Sequence, residues 1–246
     1  MGATKSKWRG DQLAFFDGAT YETVEPFAPT LFYDDFLGTA INGDFWTTLD
    51  LNSATFTVPA ASYWKSSIGA VAENSAAGLY GKNDKSWNID KGLIFECRMA
   101  VHTAPTLLCE IGFGVMNDSY GAGSQSFLNA DEVAKYAFFG FYATAGAGLT
   151  AVIRTDDAGV DSGIISTATS VVLNAWHVYR MDFTESSSVK FYIDGARVAA
   201  STTFKANTTA NLMVQPWLCI YKASDVGAVT VGEMYVDYVR MWQATR

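Results

Sequence analysis

From Leu31 onward, apolar and polar residues alternate in short runs, broken by Gly, Asn, Asp and Ser at intervals of about eight to twelve residues. Gly92–Val101 shows the pattern well: Leu93, Phe95, Cys97 and Met99 point one way, Glu96 and Arg98 the other. Trp176–Ala199 reads as three successive antiparallel strands. Its last two, Val189–Ile193 and Ala196–Ala199, flank Asp194-Gly195, a two-residue connection that takes positive φ at both positions and predicts a type I′ hairpin. Further strands are predicted over Phe32–Phe36, Ser66–Ala72, Gly78–Gly81, Leu107–Val115, Tyr136–Ala143, Leu149–Arg154, Gly163–Ser166, Leu212–Tyr221 and Val231–Trp242. Many short strands with frequent turns predict an all-β, two-sheet antiparallel sandwich.

Residues 1–31 differ. Trp8, Phe15, Phe16, Tyr21 and Phe27 are spread among turn residues and prolines, which excludes a long helix. This segment is expected to be an extended N-terminal arm, with those five aromatics packing against the sandwich or a partner chain. A short strand pair is the plainer reading. The sandwich itself is assigned to residues 32–246.

Composition narrows the function classes. The chain has 246 residues, 49% hydrophobic and only 17% charged, with a net charge of -8. The negative charge argues against nucleic acid as a partner. No run is apolar for long enough to cross a membrane as a helix. The three cysteines, Cys97, Cys109 and Cys219, have no metal-binding spacing and sit in apolar runs, so they are expected as buried free thiols. The N-terminal residues MGATKSKWRGDQ contain no signal-peptide core, which predicts synthesis in a cytoplasm without a cleaved signal.

The segments DDFLG…FW, GLIFECRMAV, AWHVYRMDFTESSSVKFYIDGARVA and MYVDYVRMWQ together resemble the concanavalin A-like lectin/glucanase superfamily, with laminin-G-like modules and laminarinase-type hydrolases nearest in pattern. The resemblance runs from Phe32 to Gln243 and implies a jelly roll whose concave face holds carbohydrate. In the hydrolases of this group one strand carries E-x-D-x-x-E, placing a nucleophile and an acid/base on the same face. The corresponding strand here, Tyr136-Ala137-Phe138-Phe139-Gly140-Phe141, has no carboxylate, and the motif occurs nowhere in the chain. No catalytic residue is therefore assigned. The resemblance also implies a calcium site at Asp237 on the last strand. Reading that strand as strictly alternating sets Asp237 with Tyr235, Val239 and Met241 on an apolar face. There its charge needs calcium, or else an arginine or backbone N–H groups. No other cofactor is expected.

Three functional expectations follow, the last being an endo-glucanase-type hydrolase, which the missing E-x-D-x-x-E leaves without its chemistry. The first, from fold analogy and the lack of an export signal, is a non-enzymatic bacteriophage structural protein. It would be a homo-oligomeric capsid decoration or head-fibre component on the virion surface, docked to capsid proteins through the arm. The second is a lectin-like module binding a surface glycan through exposed Trp64, Trp87, Trp217 and Tyr120, although each tryptophan could equally be core packing.

Overall fold

A computed structural model describes residues 5–9, 12–16, 23–24, 30–37, 40–51, 55–57, 63–68, 75–105, 109–117, 135–142, 149–157, 161–207, 211–222 and 232–243; for 5–30 and 55–57 only the backbone is described. The described residues of the arm between 5 and 24 pair among themselves, whereas Thr30 and Leu31 join the sandwich. Strand β1 (Lys5–Arg9) runs antiparallel to β2 (Gln12–Phe16), which pairs with β3 (Thr23–Val24). Tyr21, Phe27 and Tyr120 lie outside the described residues, as do the side chains of Trp8, Phe15 and Phe16.

The sandwich begins at β4 (Thr30–Asp34). It continues through β5 (Thr47–Leu51), β6 (Thr55–Thr57), β7 (Trp64–Ile68), β8 (Ala76–Tyr80) and β9 (Trp87–Asn88). Next come β10 (Leu93–Thr103), β11 (Cys109–Met116), β12 (Lys135–Tyr142), β13 (Thr150–Asp157) and β14 (Ile165–Ser170). The chain closes with β15 (His177–Asp182), β16 (Lys190–Ile193), β17 (Ala196–Val198), β18 (Met213–Lys222) and β19 (Gly232–Gln243). Sheet I has the order β17-β16-β15-β10-β19-β7-β6, with β4 also on β19. Sheet II has the order β14-β13-β12-β11-β18-β8-β5, with β9 also on β18. All pairings are antiparallel, as expected for a jelly roll.

Alternation along each strand supplies the layer between the sheets. Phe113, Phe139 and Phe141 of sheet II meet Tyr179 of sheet I at ring separations of 5.1, 5.3 and 5.8 Å, all edge-on. Trp64 and Trp87 belong to this same inner layer and are 0% and 3% exposed. The β16–β17 hairpin turns as predicted, with Asp194 and Gly195 at φ of 50° and 78°. The Asp194 carboxylate then ties the turn to the start of β15, accepting the Val178 N–H at 2.9 Å and meeting His177 Nδ1 at 2.7 Å. Asp90 does comparable work elsewhere. It accepts from Ser186 Oγ at 2.6 Å, from Asn207 Nδ2 and from the Leu212 N–H, so one carboxylate joins three loops.

Candidate functional site

The outward face of sheet II contains the strand at which the hydrolase resemblance is tested. Register places Gly140, Gly112, Cys219, Gly78 and Leu49 side by side across five strands. The next row is Phe138, Gly114, Trp217 and Tyr80, and on the other side lie Tyr142, Glu110 and Tyr221. A band almost free of side chains thus crosses the sheet between two aromatic borders. Gly114 has a separate role. With no side chain between them, Phe138 and Trp217 touch across it at 4.8 Å. A Cβ there would come 2.1 Å from the Ala137 carbonyl oxygen and 3.0 Å from the Phe138 ring.

The centre of this face is closed to solvent, while Tyr80, Tyr142 and Tyr221 at its borders are partly exposed. Tyr136, Phe138 and Trp217 are 1%, 2% and 1% exposed and form a second apolar cluster with Leu49, Met116 and Val152. The expectation that Trp64, Trp87 and Trp217 are exposed is therefore corrected. The first two fill the space between the sheets, and the third is packed against Phe138. Each ring is large and apolar, so burying it is favourable. Among the described residues the three indole N–H groups have no hydrogen-bond partner.

The outward residues of β12 are Tyr136, Phe138, Gly140 and Tyr142, with no carboxylate among them. Register puts Glu110 beside Tyr142 and Asp156 beside Tyr136, at opposite ends of that strand. Six residues of β-strand separate these rows by about 20 Å. A hydrolase pair needs a gap of roughly 5–10 Å. Asp161 approaches the same face, and Arg154 donates to it from Nη2 at 2.7 Å and from Nε at 3.2 Å. Burial works to raise the Asp161 pKa, but these bonds outweigh it and hold the carboxyl below its ordinary range. A general acid needs the opposite shift. The cysteines are buried and free, and burial pushes the Cys109 thiol up to about 12, so it is not a thiolate nucleophile at neutral pH.

The outward face of sheet I is chemically different. One register row runs Arg197, Tyr192, Arg180, Glu96, Arg240 and Tyr33 from β17 to β4. The Arg180 guanidinium lies 5.8 Å from the Tyr192 ring centre and 5.6 Å from that of Trp242, while Arg240 lies 4.8 Å from Trp242. Glu96 Oε1 accepts the Tyr238 hydroxyl at 2.8 Å and stands 2.9 Å from Arg240 Nε. At one end of the face, Glu233 is paired with both Lys65 and His102.

Asp237 also faces outward here, and its predicted placement is corrected. A register shift after Arg98 breaks the alternation of β19, so Asp237 and Tyr238 both point out while Val239 and Met241 enter the core. Arg98 Nη1 meets the Asp237 carboxylate at 2.5 Å, which is the arginine alternative to calcium. Among the described residues no group of three or more His, Cys, Asp or Glu side chains is arranged to hold a metal ion.

The sequence matches no protein-family model and no curated protein. Solved structures do match in fold. One comes from work on endo-acting O-glycanases that prominent members of the human gut microbiota express to initiate mucin breakdown. It is 13% identical with a TM-score of 0.60, covering 86% of this chain and 98% of that one. The likeness shows a shared fold, the two-sheet antiparallel jelly roll. A Bacillus licheniformis β-glucanase is likewise similar, at 13% identity and a TM-score of 0.55 over 87% of this chain and 97% of that one. So is an immunostimulatory antigen of Mycobacterium tuberculosis described as a pseudo β-1,3-glucanase, at 13% identity and 0.57 over 86% and 98%.

These neighbours overturn the expectation of a bacteriophage capsid-decorating component. That expectation rested on fold analogy, and the similar structures named above come from work on O-glycanases, from a β-glucanase and from a pseudo β-1,3-glucanase. The missing export signal carried no information about what the sandwich does.

Proposed function

We propose that this chain is a glycan-binding protein built on a glucanase-type jelly roll and that it does not hydrolyse what it binds. One observation supports this above the others: the outward side of β12 presents Tyr136, Phe138, Gly140 and Tyr142 where a retaining hydrolase needs carboxylates. Glu110 and Asp156 are too far apart to substitute for them, and Asp161 is committed to Arg154. The pseudo β-1,3-glucanase among the structural neighbours is a precedent for this fold without the named activity.

The test pairs two measurements on one sample. Immobilised β-1,3-glucan and mucin O-glycans are offered to the purified protein, and reducing ends released from the same polymers are counted over hours. Retention on at least one polymer with no reducing ends above the buffer blank is expected. Steady release of reducing ends would overturn the non-hydrolytic reading, and absence of retention on every polymer would overturn the glycan reading.

A further inference from the structure

If the outward face of sheet II is closed at its centre, a glycan needs another place to sit, and sheet I has a pocket of suitable chemistry. A cavity of ≈ 230 Å³ opens on its outward face, lined by Glu96, Val178, Arg180, Tyr192 and Gly195. That is below the roughly 300–1,000 Å³ typical of drug-sized ligands and suits a single small ring.

We infer that this pocket is a monosaccharide-binding subsite for one neutral hexopyranose unit of a glycan, an inference that rests on the glycan reading above. The polar groups in it are complementary to vicinal hydroxyls. Arg180 is the donor. Its Nε is buried with no hydrogen-bond partner among the described residues, and its Nη2 lies 3.8 Å from Asp182. The guanidinium is nonetheless held in place, lying over Tyr192 on one strand and Trp242 on another. A planar guanidinium fork held in place on a side chain that is 40% exposed is preorganised to donate from its accessible Nη groups to ligand oxygens.

Glu96 is the acceptor. Tyr238 and Arg240 both address its Oε1, which leaves Oε2 without a hydrogen bond from any described residue. An accessible carboxylate oxygen in that condition is free to accept ligand O–H groups. Tyr192 supplies an aromatic wall for the C–H face of a sugar ring. Gly195 leaves the rim open, since a Cβ there would meet no atom within 4 Å.

Charge narrows the ligand class. Arg180 and Glu96 oppose each other in one register row. An anion attracted by the first is repelled by the second, and a cation the reverse. An uncharged polyol uses both, donating to one and accepting from the other.

The experiment follows the Arg180 Nε–H and Trp242 Nε1–H signals in nitrogen–proton correlation spectra. A β-1,3-linked glucose trisaccharide is titrated in, and so, separately, are methyl glycosides of galactose, mannose and N-acetylglucosamine. At least one should shift both signals saturably. Gly195→Asn keeps a residue that tolerates the left-handed turn and places a side chain at the rim. Arg180→Lys keeps the charge and removes the fork. Each should weaken binding at least tenfold, with only a small fall in melting temperature for Gly195→Asn, since that position must hold φ of 78°. If the polymers are retained but none of the four sugars moves the Arg180 and Trp242 signals, the subsite is wrong and the glycan function stands. The same holds if both variants bind like the parent. If neither polymers nor sugars bind, both readings fall.

Discussion

The two outward faces of the sandwich solve opposite problems with the same strand geometry. On sheet II, glycines at Gly140, Gly112, Gly114 and Gly78 let large rings lie flat over the backbone, and Phe138 and Trp217 are sealed from water. On sheet I, arginines and acids alternate with half-buried rings, and the polar ends stay in reach of solvent. The difference teaches that position within a fold does not carry chemistry with it. The face on which hydrolases of this fold are expected to work has an apolar, closed centre here, with its charged groups set apart at the ends of β12, and polar groups with unused bonding capacity gather on the other face.

The contrast is broken most directly at Trp217. If the ring is packed as described, Trp217→Ala costs about 3–5 kcal/mol in urea unfolding, the usual range for emptying a core site of this size. A loss below about 1 kcal/mol would mean that the face is open. Gly114→Ala comes next. Its Cβ would collide with the Ala137 carbonyl and displace Phe138, so a loss of about 2–3 kcal/mol is expected, against about 1 kcal/mol or less for Gly195→Asn, where space is open and only the left-handed backbone costs anything.

On the charged face the effects shrink. Asp194 has its carboxyl held below the ordinary range: burial works against this, but bonds from His177 and the Val178 N–H outweigh it. Because the folded-state pKa is depressed, the stabilisation is present above the unfolded value of about 4 and is lost as pH falls through the lower folded value. Asp194→Asn should therefore cost about 1 kcal/mol at pH 7 and make the acid limb of the stability profile shallower; parallel limbs for parent and variant would remove the pair from the account. Smallest is the Arg98–Asp237 pair, whose side chains are 40% and 30% exposed. Asp237→Ala should change stability by less than about 1 kcal/mol, and a chelator should leave the melting temperature of the parent where it was. A fall of several degrees on chelation would restore calcium at Asp237.

Much of the fold was legible because strands and turns are written locally. Asp194-Gly195 announces its turn through backbone sterics alone, and Leu93 to Met99 announce a buried side through alternation. The missing carboxylates of Tyr136–Phe141 were equally readable, since a side chain's chemistry needs no coordinates. The site was less so. Trp64, Trp87 and Trp217 look alike in a sequence, and whether a ring ends between sheets, on a covered face or in water depends on which strand lies over it. Asp237 was misplaced because a single register shift against Arg98, 139 residues away, changes which neighbours share its side.

What the sequence determined by itself was the all-β character, the hairpin turn, the absence of E-x-D-x-x-E and the free cysteines. All of these rest on interactions between residues near in the chain or on residue identity alone. Tertiary structure alone decided that Gly140, Gly112 and Gly78 form one row, that Glu96 faces Arg180, and that Arg98 neutralises Asp237. These groups meet only through strand pairing, and antiparallel register is a property of the folded sheet as a whole.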